Sequence, residues 1–277
     1  MVTMSDRPTG NRVAPSDRQA TSADLVRVAL VVLFAALQPF SSLLAEFLPG
    51  DQASTGEVSD RYSHLLTPAG YTFAIWGLIY AASLGLAVYQ ALPSQHAREV
   101  HRATGWWLAA AFAASTIWVP VWVSGGLAMA QLVIVMLVAC LAVALGRLTG
   151  IGPASTPAEQ WLLRVPVSGY LGWATIATIA GTGTTAVWAG ISLSDGAATA
   201  AAVVALLILA VLAAWIASRV LATAGFVGLL AWGLVGVAVG TSQGLVAAAA
   251  LFAAFVAIVE MAVRASRSKR PNAVLFG

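Results

Sequence analysis

Long apolar runs separated by short polar ones set the pattern of this chain. They fall near residues 25–48, 70–92, 103–123, 127–146, 162–189, 197–218, 221–240 and 243–264. Each is close to the ~20 residues that an α-helix needs to cross about 30 Å of hydrocarbon. The pattern predicts an all-α integral membrane protein of about eight transmembrane helices. Gln38-Pro39, midway along the first run, predicts a kink and a polar side chain at membrane depth. The turn at Arg219 is very tight, and one long broken helix is the alternative there. The longest interruption, 49–67, carries Pro49-Gly50, Asp51, Glu57, Asp60, Tyr62 and His64 and closes on Thr67-Pro68. A loop of that length over a bundle reads as a lid or mouth, or as a solvated connector.

Composition sharpens this. Of 277 residues, 60% are hydrophobic and 9% charged, against about 25% charged in soluble domains. No room is left for a separate soluble domain. The net charge of +3 could be misread as nucleic-acid binding, but the cations fall in alternate loops, on one side of the membrane. With the N-terminus inside, every Lys and Arg except Arg61 falls in the N-terminal tail, 93–102, 147–164, the Arg219 turn or the C-terminal end. By the positive-inside rule both termini are cytoplasmic, and no nucleic-acid partner is expected. The expected location is the inner (cytoplasmic) membrane of a bacterium, with membrane lipid as a partner. Residues 1–24 read as a disordered cytoplasmic tail, since no signal-peptide pattern is present. Residues 266–277 read as a basic cytoplasmic tail. The single Cys140 allows neither an internal disulfide nor a zinc motif.

Chemistry-bearing groups are sparse. Glu46 lies at the outer end of the first run, and Glu260 stands four residues before Arg264, a spacing that predicts an interfacial ion pair. No ionisable residue falls near the middle of a run, which argues against an ion-coupled pump. His64, His96 and His101 are expected in loops, with no metal-ligand spacing. No nucleophile–base set, phosphate loop or dinucleotide fingerprint is found, so no catalytic residue, metal or cofactor is assigned.

Aromatic residues carry more information. Phe73, Trp76 and Tyr80 share one face of the second helix, and Ser115, Trp118 and Trp122 one face of the third. Tyr170, Trp173, Ala177 and Gly181 share one face of the fifth. Such stripes either pack helices together or line a cavity for a flat apolar ligand. Trp106, Trp107, Trp122, Trp161 and Trp188 fall near helix ends, where an interfacial belt accounts for them; Trp76, Trp118, Trp173 and Trp232 lie deeper. Gly236 and Gly240 make a small-xxx-small pair, with Gly233 on a neighbouring face, which suits intramolecular packing or a homodimer.

The stretch Thr67-Pro68-Ala69-Gly70-Tyr71-Thr72-Phe73-Ala74-Ile75-Trp76-Gly77-Leu78-Ile79-Tyr80 resembles the second-helix signature of the TspO/MBR family, the tryptophan-rich sensory proteins related to the translocator protein. Ser115, Trp118 and Trp122 are similar to its Asn-x-x-Trp stretch, and Pro166, Tyr170, Trp173 and Ala177 to its fifth helix. Ala74-Ile75 stands where the family has a proline before the Trp, and Ser115 replaces the Asn. Pro166 and Tyr170 are separated rather than adjacent. The resemblance implies a five-helix bundle over 25–190, with three added helices over 191–265. It also implies a ligand pocket near the first loop for tetrapyrroles and other flat hydrophobic molecules. The leading expectation is a receptor- or sensor-type protein binding a tetrapyrrole, isoprenoid or sterol-like molecule. The pocket is expected among helices one, two, three and five, with Gln38 as the orienting polar contact. A facilitator for a neutral apolar compound is the first alternative, and an enzyme acting on a lipid-soluble substrate the second.

Overall fold

The computed structural model describes residues 19–41, 43 and 53–277. The expectations for residues 1–18 and for Glu46, Pro49-Gly50 and Asp51 lie outside the described residues. Helix α1 runs Ser22–Leu37 and continues as a 3-10 turn, Gln38–Phe40, where Pro39 removes a backbone donor. Thr21 and Asp24 close its N-terminus as a reciprocal capping box. A short helix α2 (Thr55–Arg61) starts on a second such box, Ser54 with Glu57. A 3-10 segment, Gly70–Ala74, leads into α3 (Ile75–Ala91). Then come α4 (Glu99–Val123), α5 (Leu127–Ile151), α6 (Val165–Trp188), α7 (Asp195–Arg219), α8 (Thr223–Gly240), α9 (Gly244–Arg267) and a short α10 (Pro271–Phe276). No strand occurs among the described residues.

Among the described residues, seven helices are long and apolar enough to cross a membrane by length and composition: α1, α3, α4, α5, α7, α8 and α9, with α1 and α3 counted together with their 3-10 turns. The chain is an all-α, multi-pass integral membrane protein. The fifth apolar run corresponds to α6, whose 24 residues are rich in Gly and Thr. Its hydroxyls are satisfied within the helix: Thr175, Thr178, Thr182, Thr184 and Thr185 each donate to the carbonyl four residues back. That is how a polar-rich helix remains stable in surroundings without water. It also covers the same height as its neighbour. Arg164, just before α6, donates to Leu148 near the end of α5, while Gln131, near the start of α5, donates to Thr178 and Thr182.

Helices α1, α3, α4, α5 and α6 form the bundle, with α4 packed on α5, α5 on α6, and α1 between α3 and α4. Helix α8 packs on α6, α9 on α8, and α7 on α9. The two helices flanking Arg219 are therefore separate, and Ala222 turns the chain between them at φ 60. The small residues of α8 are used within the chain. A side chain at Gly233 would strike Ile176, at Gly236 Thr72, and at Gly240 the Thr67 carbonyl. Across the same contact, a side chain at Gly172 would strike the Phe226 carbonyl.

Polar groups gather at one end of the bundle, and two expectations are corrected there. His101 lies in the first turn of α4, wholly buried, with its ring against Tyr89 at 5.4 Å. The loop between α3 and α4 is shorter than the polar residues suggest, so α4 begins at Glu99. Arg264 donates to the carbonyls of Ala217 and Val220 at the end of α7, and no Glu260–Arg264 ion pair forms among the described residues. Those carbonyls have no partner within α7 and draw the guanidinium. At this end Asp24 pairs with Arg27 and Arg102, and Glu159 with Arg98 and Arg164.

Candidate functional site

The three aromatic stripes converge. Trp76 of α3 stacks on Trp118 of α4 at 5.4 Å and meets Trp173 of α6 edge-on at 5.9 Å. Trp118 stacks on Trp122 at 5.3 Å, and Phe73 meets Trp173 at 6.3 Å. Tyr170 meets Trp76 at 6.1 Å and Phe112 at 6.3 Å. Period-3.6 spacing puts each set on one helix face, and the bundle turns those faces inward.

Between the rings is a small void of about 20 Å³. Phe73, Trp76, Trp118, Trp122, Trp173 and Ala177 line it, as expected from their positions. Gln38, Tyr80, Ser115 and Tyr170 do not line it. Gln38, Ser115 and Tyr170 are buried beside the cluster. Among the described residues, helix α1 contributes no wall to this void, which the helices α3, α4 and α6 enclose where four helices were expected. The void holds about one water, because the indoles fill one another's space.

The void is roofed. Ser59 of α2 and Pro68 line it from above, with Ala180 and Thr184 of α6. Ser59 and Pro68 carry no periodic signal, and only folding of the first loop over the bundle brings Ser59 to the rings. Two hydrogen bonds hold that loop down. Trp122 Nε1 donates to the Thr55 carbonyl at 3.1 Å. His64 Nε2 lies 2.9 Å from the Ala180 carbonyl, so it carries the proton, while Nδ1 accepts from the Leu66 N–H at 3.2 Å. Gly183 lets the imidazole lie flat on α6, since any side chain there would strike it. Burial, opposed in part by the bond to Ala180, holds the His64 pKa below its usual value. Trp122 is thus a core residue, only 3% exposed, and not part of an interfacial belt. Trp106, Trp161 and Trp188 are exposed near helix ends as a belt requires.

The site is rich in donors. Among the described residues, the buried Nε1 of Trp76, Trp118 and Trp173 has no acceptor, and both amide atoms of Gln38, the Ser115 Oγ and the Tyr170 hydroxyl have no hydrogen-bond partner. An indole N–H can only donate. A buried donor without a partner is costly, and such groups gathered among aromatic faces suit a flat molecule that carries acceptors.

A larger apolar cavity of about 630 Å³ opens on the other face of α6. Ile179, Gly183 and Val187 of α6, His64 and Leu66 of the roof, and Ala201 of α7 are among its walls. Sequence patterning gave no sign of it, because it depends on how α7 is placed.

The family model described as "TSPO-like protein" matches residues 27–263 of this chain. No curated protein and no solved structure matches it.

Proposed function

The chain belongs to the TSPO-like family, and from that premise we propose that it binds a flat hydrophobic ligand in the tryptophan cluster. The observation that carries this reading is the convergence of Trp76, Trp118 and Trp173 from three helices, each with a buried indole N–H that has no acceptor among the described residues. Tetrapyrroles fit the chemistry, since a wide π-face stacks on indoles and peripheral carboxylates accept from N–H groups. A flat isoprenoid quinone, with ring carbonyls, is the second class. The ligand enters by lifting the roof, which breaks the Trp122–Thr55 and His64–Ala180 bonds and expands the void. Such a protein reports ligand by the position of its outer loop, in keeping with a sensor. The orientation that supports this places the roof outside and both termini in the cytoplasm, on the charge distribution given above.

Titration of the purified protein with protoporphyrin IX and with a quinone tests the reading, with tryptophan fluorescence as the readout. Saturable quenching by at least one is expected; linear quenching by both, as in free tryptophan, sinks it.

A second reading rests on size. The 630 Å³ cavity beside α6 is already ligand-sized, whereas the aromatic void is not. If the ligand sits there, Ala201→Phe abolishes binding and Trp118→Phe leaves it intact. The reading preferred here requires the opposite.

A further inference from the structure

At the end of the bundle that carries Arg264, a cleft of about 680 Å³ lies between the ends of α7 and α9 and the short helix α10. Its rim is cationic: Arg264, Arg267, Lys269 and Arg270 line it, against the single carboxylate of Glu260. Arg264 is occupied by the carbonyls of Ala217 and Val220. Among the described residues, the side chains of Arg267, Lys269 and Arg270 enter no ion pair. Leu221, Val263 and Val274 give the same cleft an apolar wall.

Its position names its solvent. Helices α7 and α9 expose large apolar side chains along their lengths, among them Ile208, Val211, Leu251 and Phe255. A soluble surface rarely shows so much, and hydrocarbon covers it. The cleft therefore lies where two lipid-facing helices end, at the level of the headgroups. A ligand there meets three unpaired cations on one side and apolar side chains on the other.

We propose that this cleft is a binding site for an anionic phospholipid, with the phosphate held by Arg267, Lys269 and Arg270 and the acyl chains against α7 and α9. Basic pockets between transmembrane helices recognise headgroups of this type. The site is distinct from the tryptophan cluster and stands whether or not that cluster binds a ligand. Its occupant links the end of α7 to the end of α9 and so secures the outermost helix, which packs on α9 and hardly on α8.

Thermal unfolding of the purified protein in a neutral detergent tests the proposal, with dioleoyl phosphatidylglycerol, dioleoyl phosphatidylcholine and inorganic phosphate added separately. A saturable rise in Tm with phosphatidylglycerol alone is expected. The triple variant R267Q/K269Q/R270Q changes exposed side chains only, so the fold is retained. It should weaken the apparent affinity for phosphatidylglycerol about a hundredfold, at roughly fivefold per charge. Arg219→Gln removes an exposed cation at the same end that does not line the cleft, and should change affinity less than twofold. Equal effects of phosphatidylcholine, or an unchanged triple variant, overturn the proposal. Equal loss in Arg219→Gln assigns the effect to general surface charge, and an equal response to inorganic phosphate removes the lipid from the account.

Discussion

Trp122 shows how much a single side chain decides. Its position near the end of α4 fits an interfacial belt, but α2 folds over it and its N–H holds the Thr55 carbonyl. Trp122→Phe keeps the stacking on Trp118 and removes that hydrogen bond, at a cost of about 1 kcal/mol. If the bond pins the roof, ligand association measured by stopped-flow fluorescence should quicken severalfold; an unchanged on-rate removes the pin. His64 is the second pin, and it titrates. Its folded-state pKa lies below the unfolded value because burial disfavours the charged form. The stability it contributes is therefore present above the unfolded value near 6.5 and is lost as pH falls through the lowered folded value. Protonation of Nδ1 also expels the Leu66 N–H. Limited proteolysis of the outer loop should accelerate as pH drops below about 6.5, and His64→Gln should flatten that profile; a flat profile in the wild type contradicts the assignment.

At the scale of elements, the contact between α6 and α8 ties the added helices to the bundle. Gly172 brings the α6 backbone against the Phe226 carbonyl, and Gly225 receives Ser168 and Val165. Gly172→Val cannot be absorbed by side-chain rotation, because its obstacle is backbone. It should cost about 1–3 kcal/mol or more through forced separation, read as a lower Tm; an unchanged Tm refutes the close approach. Glu159 does comparable work just before the start of α6. Burial pushes its carboxyl up, but hydrogen bonds from Arg164 and Ser155 outweigh this and hold its pKa below the usual value. Glu159→Gln leaves the buried Arg164 without its counter-charge, which should cost roughly 3–5 kcal/mol. The helices were legible from sequence because apolar runs of that length have few other solutions. The facing of the three stripes was legible from their period. What the period does not contain is volume: it brings Trp76, Trp118 and Trp173 to one place, but not the fact that they fill it. Nor does it show a loop folding back, so the roles of Ser59, Thr55 and His64 emerged only from the fold.

For the whole molecule, the proposed membrane orientation rests on where the cations lie, and labelling tests it. Cys140 is buried, so background reaction is low. A cysteine at exposed position 54 should react with a membrane-impermeant maleimide in intact cells, and one at exposed position 94 only after lysis. The reverse pattern inverts the orientation. Trp215, and not Trp232, serves as the control tryptophan. Trp232, in the added helices, donates to the Thr72 carbonyl at 3.1 Å and meets Tyr71 edge-on, so it holds the start of α3. Trp215 on α7 is exposed and away from the cluster. The most direct measurement is therefore a protoporphyrin IX titration of Trp76→Phe, Trp76→Ala and Trp215→Ala beside the wild type, each matched for thermal unfolding. The account predicts that Trp76→Ala weakens binding tenfold or more, about 1.4 kcal/mol. Trp76→Phe should weaken it less, by loss of the N–H alone, and Trp215→Ala should not weaken it. Wild-type affinity in Trp76→Ala, or an equal loss in Trp215→Ala, would contradict a ligand site among the tryptophans.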